Sequence, residues 1–149
     1  FSAGMTLDEI ASAVPEIEQI EHRLQLIENG GVNILDDGYN SNVKGARAAL
    51  KVLNYFKGRK IVVTPGLVEL GVLEEEENCE FGKNLAGFDL VVLVGDTLVK
   101  FVEKGYKQAG GAAEKIRTVP TLASAQEELK GYLKQGDTVL FLNDLPDIY

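Results

Sequence analysis

One strand-to-helix junction decides how this chain folds: Ile34-Leu35-Asp36-Asp37-Gly38-Tyr39-Asn40-Ser41-Asn42. An apolar run ends there in two carboxylates, a glycine–aromatic–amide turn follows, and a helical pattern begins beyond it. In an open α/β sheet, ligands bind in the crevice beyond the carboxyl ends of the strands. The acidic and amide side chains of this stretch are therefore placed to meet a small molecule.

Outward from this junction, strand-like and helix-like segments alternate along the chain. The apolar runs Leu90–Val94 and Thr138–Leu142 are typical of strands that are covered on both faces. Between such runs, apolar residues recur at helical spacing, as Ala46, Leu50 and Leu53 do. This alternation predicts an α/β fold with a mostly parallel sheet and helices on both faces.

The segment before the junction predicts a β-hairpin. Leu24–Ile27 and Val32–Leu35 have the character of short strands, and an Asn29-Gly30 turn separates them. The hairpin adds one antiparallel strand, so we expect six strands in all and about four covering helices.

A domain boundary is predicted just before the hairpin. Thr6 and the acidic residues that follow it have the pattern of a capped first turn, which predicts a short leading helix. An irregular acidic stretch then runs to Glu21. We expect residues 1–21 to be the tail of a preceding domain and its linker, and residues 22–149 to form the domain itself.

Composition and charge exclude several classes of partner. The chain has 149 residues, a net charge of −8 and a pI of about 4.7, which argues against nucleic acid or an anionic membrane as a partner. No apolar run approaches the roughly 20 residues of a membrane span. The single cysteine, Cys79, fits a reducing compartment, so we expect a cytoplasmic protein.

The junction carries the first set of candidate binding residues. Asp36 and Asp37 could accept hydrogen bonds from ribose hydroxyls or help to hold Mg²⁺, or one of them could cap the next turn. Alternation along a strand points the two side chains to opposite faces, so we do not expect a shared proton. Tyr39, Asn40 and Asn42 follow where a helix N-terminus favours anions, although Asn42 could simply be the N-cap.

Three other places could contribute to a site. Arg23 could clamp a phosphate, or it could be a solvated residue at a strand edge. The loop Thr64–Gly71, which contains Glu69, has the position of a binding loop, yet it lacks the lysine of a nucleotide P-loop and could be a plain connection. Asn143 and Asp144 follow the last strand and reach the same edge of the sheet.

Catalytic and metal-binding patterns are missing from the sequence. The single histidine, His22, has no evident partner for nucleophilic catalysis, and no group of residues has metal-ligand spacing. We therefore assign no catalytic residue and no metal ligand.

The segment from Arg23 to Asn42 resembles the start of the C-terminal domain of the Mur ligases. The family has a pattern like I-D-D-S-Y-N-A-N-P in the type that adds D-alanyl-D-alanine, and this sequence has Leu35-Asp36-Asp37-Gly38-Tyr39-Asn40-Ser41-Asn42-Val43. The later Val68-Glu69-Leu70-Gly71 is also similar. The chain departs from the family after the last strand, where Asn143 begins a segment that replaces a Lys-Gly-Ser-like turn.

This resemblance implies an ATP-dependent amide-forming ligase with three domains. The central domain holds the P-loop and most of the Mg²⁺ site. The C-terminal domain, a Rossmann-like sheet, closes over ATP and helps to bind the incoming amino acid or dipeptide. ATP phosphorylates a UDP-muramoyl peptide, and the amine attacks the acyl phosphate. The implied role is peptidoglycan synthesis, and with it cell wall biogenesis, cell shape and cell division; this domain alone is not expected to turn over.

The resemblance also implies roles for single residues. Arg23 matches an arginine that contacts the nucleotide phosphates, and Asp37 matches the aspartate that binds the ribose hydroxyls. Tyr39 stands where relatives have a residue facing the phosphates, and Asn40 and Asn42 match amides that line the same cleft. We expect contacts with the peptide or acceptor substrate from Glu69, Asn143 and Asp144.

The alternative is a receiver-like or other small-molecule-binding module without catalysis. A receiver also has an acidic pair at a strand end, but it needs a further Asp after its third strand and a Lys after its fifth. The matching ends here have Thr64-Pro65 or Gly95-Asp96, and Asn143. A dinucleotide-dependent enzyme is disfavoured because no G-x-G-x-x-G follows a strand.

Overall fold

The computed structural model describes residues 4–39 and 42–143, which contain one six-stranded sheet in the order β1-β2-β6-β3-β4-β5. β1 and β2 are antiparallel, and the other neighbouring strands are parallel. The predicted fold class is therefore confirmed. The strands are β1 (Gln25–Asn29), β2 (Val32–Asp37), β3 (Lys60–Thr64), β4 (Leu90–Val94), β5 (Ile116–Val119) and β6 (Thr138–Leu142).

Five α-helices lie within these residues, and four of them cover the sheet. Three short 3₁₀ turns lie at Val14–Glu16, Gly71–Leu73 and Ala113–Lys115. The α-helices are α1 (Leu7–Ala13), α2 (Val43–Asn54), α3 (Glu74–Leu85), α4 (Val99–Gln108) and α5 (Leu122–Tyr132).

The order of the strands explains which helix covers which face. The chain moves in one direction across the sheet from β2 through β3 and β4 to β5, then returns to β6 between β2 and β3. Crossovers between parallel strands are right-handed, so reversing the direction moves the connecting helix to the opposite face. Accordingly, α2, α3 and α4 pack on one apolar cluster, and α5 packs on the other. Helices on both faces, as predicted, are confirmed.

The hairpin turn differs from the sequence prediction. Asn29 is the last residue of β1 and pairs with Val32, so the two-residue loop is Gly30-Gly31 and not Asn29-Gly30. Both glycines have positive φ, at 59° and 82°. A tight hairpin turn of this kind requires positive φ at both central residues, which two glycines adopt without strain.

Helices α3 and α4 are in direct backbone contact. A Cβ atom built on Gly105 would lie 1.7 Å from the carbonyl oxygen of Cys79, and one on Gly82 would lie 2.0 Å from that of Val102. The two helices can approach this closely only because both positions lack a side chain.

The leading segment contributes little to the core. α1 has no buried residue, and its capping box between Thr6 and Glu9 confirms the predicted first turn. Leu7, Ile17 and Ile20 are 78%, 69% and 65% exposed. Exposed large apolar side chains are thus concentrated along this leading segment.

The register brings the carboxyl ends of three strands together. Asp37 at the end of β2 lies opposite Leu142 in β6, and Phe141 of β6 lies opposite Val63 in β3. The junction after β2, the loop after β3 and Asn143 after β6 therefore share one edge of the sheet.

Candidate functional site

A cleft of about 450 Å³ lies at the carboxyl end of β2. Its size falls within the range of small-molecule sites, roughly 300–1,000 Å³. Four of the residues predicted to bind a nucleotide, Arg23, Asp37, Tyr39 and Asn42, are part of its wall. The lining residues are Arg23, Leu24, Asp37, Tyr39, Asn42, Gly45, Ala48 and Ala49.

The mouth of the cleft combines a positive charge with an aromatic ring. The guanidinium carbon of Arg23 lies 5.8 Å from the centre of the Tyr39 ring, within the range of a cation–π contact. Tyr39 is 73% exposed, and Arg23 is also exposed. Both side chains are therefore accessible to a ligand.

The first turn of α2 forms another wall. The Asn42 side-chain oxygen accepts a hydrogen bond from the Gly45 N–H at 2.7 Å, which confirms the predicted N-cap. The missing side chain of Gly45 and the small side chains of Ala48 and Ala49 leave room beside this turn. The helix N-terminus carries a partial positive charge, so the helix and Arg23 both favour an anion.

The two carboxylates of the junction are buried and have different partners. Asp36 is fully buried; one oxygen lies 2.7 Å from Nδ1 of His22, and the other accepts from the Gly38 N–H at 3.1 Å. Asp36 thus caps the turn, which is one of the two roles that the sequence left open for this acidic pair. Asp37 is 4% exposed and accepts from the Leu24 N–H at 3.0 Å.

His22 is the main residue that the sequence reasoning missed. A lone histidine is a weak signal, and its partner Asp36 lies 14 positions away. The hairpin register could have shown the pairing, because Gln25 lies opposite Asp36 and places the residues just before β1 beside the end of β2.

Of the residues predicted to bind the peptide or acceptor substrate, Asn143 and Glu69 do not line this cleft. Asn143 is fully buried; its side-chain amide donates to the Gly66 carbonyl at 2.6 Å, and its backbone N–H donates to the Asp37 carbonyl at 3.3 Å. Glu69 is exposed and has a positive φ of 61°. Their roles toward a substrate stay predictions. Asn40 and Asp144 lie outside the described residues.

The loop after β3 is held by a buried amide that the sequence did not single out. The Asn78 side chain accepts from the Leu67 N–H at 2.7 Å and donates to the carbonyls of Leu67 and Glu74, both at 2.9 Å. These bonds fix the loop from within, so Asn78 supports the shape of the sheet edge.

A third buried carboxylate lies at the opposite, amino end of β6. Asp137 is 2% exposed and receives two hydrogen bonds from Arg59, at 2.9 and 2.5 Å, and one from the Lys134 N–H at 2.7 Å. Burial raises the pKa of Asp137, but these hydrogen bonds outweigh burial and hold the pKa below its ordinary value. The Arg59 guanidinium also stacks on Tyr132, 4.4 Å from the ring centre.

Residues 4–39 and 42–143 contain neither a metal-binding cluster nor a membrane-spanning helix. Within those ranges, no three or more His, Cys, Asp or Glu side chains are grouped to hold a metal ion. The described helices include none with the length and apolar character to span a bilayer.

Fold and cleft together define a class: a Rossmann-like α/β domain with a cleft at the carboxyl end of a strand, in whose wall an exposed arginine lies beside a helix N-terminus. Residues 22–143 match the family described as Mur ligase, glutamate ligase domain. The match covers most of the chain, and the chain therefore belongs to the Mur ligase family. The family resemblance stated from the sequence is confirmed.

Two relatives are D-alanyl-D-alanine-adding enzymes. The UDP-N-acetylmuramoyl-tripeptide–D-alanyl-D-alanine ligase of Escherichia coli is 36% identical over 100 residues, which cover 64% of this chain and 22% of that enzyme. The ligase of the same name from Mycobacterium leprae is 25% identical, and the match covers 94% of this chain and 31% of the relative. The chain thus spans less than a third of the length of these relatives.

Solved structures of the same type have the same fold. The MurF ligase of Thermotoga maritima, in complex with ADP, superposes with a TM-score of 0.78 at 25% identity, over 95% of this chain and 31% of the enzyme. A MurF structure from Acinetobacter baumannii gives a TM-score of 0.76 at 28% identity, over 94% and 31% of the two chains.

Proposed function

We propose that this chain is the C-terminal domain of an ATP-dependent amide-forming ligase and that the cleft at β2 holds the adenine nucleotide. One observation carries the proposal: Arg23, Asp37, Tyr39 and Asn42, which the family motif associates with the nucleotide, all line one cleft. The relative from Thermotoga maritima, which is in complex with ADP, supports the choice of nucleotide.

The chemistry of the cleft fits this ligand. Arg23 is accessible and would donate charge-assisted hydrogen bonds to phosphate oxygens. The N-terminus of α2 would add favourable electrostatics for the same phosphates. Asp37 would accept from the ribose hydroxyls, and Tyr39 would lie beside the nucleotide at the mouth of the cleft. Asn40, as the motif implies, would belong to the same wall.

The substrates proposed are those in the names of the relatives. The full protein would join D-alanyl-D-alanine, or a related amino acid or dipeptide, to a UDP-muramoyl tripeptide through an acyl phosphate, in peptidoglycan synthesis in the cytoplasm. Glu69, Asn143 and Asp144 would contribute contacts to these substrates.

The remaining parts of the enzyme would come from other domains. Residues 1–21 would connect to a central domain, and residues 22–149 would form this one; the exposed Leu7, Ile17 and Ile20 support a contact surface there. That central domain would supply most of the Mg²⁺ site, and an N-terminal domain would complete the protein.

Nucleotide binding tests the proposal. The 149-residue chain is titrated with ADP by isothermal calorimetry or NMR, and weak saturable binding is expected. Arg23→Ala should lower the affinity about tenfold or more, because a hydrogen bond to a charged group contributes about 1.5–3 kcal/mol. The exposed Lys57 provides a control: Lys57→Ala removes the same charge away from the cleft and should leave the affinity unchanged. Equal effects of both variants would contradict a specific role of the cleft.

An assay of turnover tests whether this domain can catalyse the reaction without the other domains. The chain alone is mixed with ATP, Mg²⁺, a UDP-muramoyl tripeptide and D-alanyl-D-alanine, and no steady-state amide product is expected. Sustained product formation by the chain alone would contradict the proposal that the catalytic centre lies mainly in another domain.

A further inference from the structure

The segment that holds Arg23 at the cleft has an unusual backbone. The residues on either side of it, His22 and Leu24, both have positive φ, at 59° and 52°. Residues with a Cβ atom adopt this conformation only at an energetic cost, because the Cβ atom crowds the backbone. Such conformations persist only where surrounding contacts enforce them, and they cluster at functional sites.

Three contacts enforce the backbone of this segment. Nδ1 of His22 lies 2.7 Å from the buried carboxylate of Asp36, and the Leu24 N–H donates to Asp37 at 3.0 Å. The carbonyl of His22 also accepts from the Tyr39 N–H at 3.0 Å. Both neighbours of the arginine are thereby fixed to the end of β2.

The side chains of His22 and Arg23 have different surroundings, although the two residues are adjacent in the sequence. His22 is not among the residues that line the cleft, whereas Arg23 is. Asp36 is fully buried, and a buried carboxylate is costly without partners, so its pairing with the imidazole is strongly favoured. The guanidinium of Arg23, the next residue, lies 5.8 Å from the centre of the Tyr39 ring at the cleft.

We propose that His22 is a positioning residue: by pairing with Asp36 it fixes the backbone that presents Arg23 to the nucleotide. This inference rests on the proposed function, because the presented group is the proposed phosphate ligand. His22 itself touches no nucleotide in this scheme.

Substitutions at His22 separate positioning from mere stability. In His22→Asn, the side chain tolerates the left-handed backbone and can still donate to Asp36. His22→Ala has neither property, and His22→Gly relieves the backbone strain but loses the pairing. ADP affinity is measured for each by NMR titration, with thermal unfolding alongside. We expect a fivefold or larger loss of affinity in the Ala and Gly variants and a loss of less than twofold in the Asn variant.

A double-mutant cycle completes the test. If His22 acts through Arg23, His22→Ala should add nothing to the affinity loss of Arg23→Ala. Unchanged affinity in the Gly variant, or losses that add in full, would overturn the positioning role. An Arg23→Ala variant that binds ADP normally would instead overturn the proposed function, so the two failures are distinguishable. If the Ala variant does not fold, the Gly variant, which lacks the strain, decides alone.

Discussion

The two ends of strand β6 each lie beside buried carboxylates, but their partners are of different kinds. At the amino end, Asp137 is paired with the Arg59 side chain, and that arginine also stacks on Tyr132. At the carboxyl end, Asp36 and Asp37 of the neighbouring β2 are paired with a histidine and a backbone N–H from a strained segment.

The difference separates a contact that supports the fold from one that supports the proposed nucleotide site. Arg59 has its charge engaged by the buried carboxylate of Asp137, so this arginine serves a contact within the fold. Arg23 is exposed at the mouth of a cleft, while the residues flanking it have positive φ. Backbone strain beside an accessible charge favours a role in binding. Stability and nucleotide affinity should therefore respond to different substitutions.

The largest effect is expected at a site that belongs to neither end. Gly105→Ala places a Cβ atom against the backbone of α3, so the helices must separate. We expect a loss of about 3 kcal/mol or more in the free energy of unfolding, measured by urea denaturation. Gly131 in α5 has open space around it, and Gly131→Ala should be neutral or stabilising by up to about 1 kcal/mol. The difference between the two glycine variants measures how much stability depends on the close helix contact. Similar losses of unfolding free energy in both variants would contradict that contact.

Breaking the pair at the amino end should affect stability without affecting binding. Asp137→Asn removes the carboxylate that Arg59 and the Lys134 N–H share. We expect the free energy of unfolding to fall by about 2–3 kcal/mol. ADP affinity of the folded variant should stay within twofold. The exposed Asp96→Asn is the control and should change stability by less than about 0.5 kcal/mol. A marked loss of ADP affinity in Asp137→Asn would contradict the claim that the amino end of β6 affects stability without affecting binding.

The pair at the amino end of β6 should also make the free energy of unfolding depend on pH in the acid range. The folded-state pKa of Asp137 lies below its ordinary value of about 3.8. The carboxylate therefore contributes stability that is complete above that value and is lost as the pH falls through the folded-state pKa. Urea midpoints of the wild type and Asp137→Asn should differ at pH 7 and converge below about pH 4. A gap that stays constant down to pH 2.5 would contradict the pairing.

The smallest effect is expected from the aromatic ring at the cleft. Tyr39→Ala removes the ring beside Arg23, a contact that contributes about 0.5–1 kcal/mol at exposed sites. ADP affinity should fall about two- to fivefold, with unfolding unchanged. Tyr39→Phe retains the ring and should bind ADP like the wild type; an equal loss in Phe and Ala would assign the effect to the hydroxyl.

The sequence predicted the sheet well because the fold depends on patterns that are local. Apolar runs such as Leu90–Val94 and helical spacing in α2 read directly as strand and helix, and the N-cap role of Asn42 followed from its residue type. The predicted position of the hairpin loop was wrong by one residue. Composition alone allows a two-residue turn at either Asn29-Gly30 or Gly30-Gly31.

The site was only partly predictable, because its decisive contacts are not local. The motif identified Arg23 and Asp37 as neighbours in function, and the hairpin brings them together. Positive φ at His22 and Leu24 could not be foreseen, since it is uncommon for any residue with a Cβ atom, although histidine adopts it more often than leucine does. The bond from Asn143 to Gly66 joins residues 77 positions apart and depends on the final strand order.

Residue-resolved NMR of the ¹⁵N-labelled chain during titration with ADP tests the central claim most directly. The claim is that the nucleotide binds at the carboxyl end of β2. We expect the largest chemical-shift changes at the amides of Arg23, Leu24, Tyr39 and Gly45, with little change around Arg59 and Asp137. The largest changes at the amino end of β6, or no saturable change at the β2 cleft, would contradict the claim.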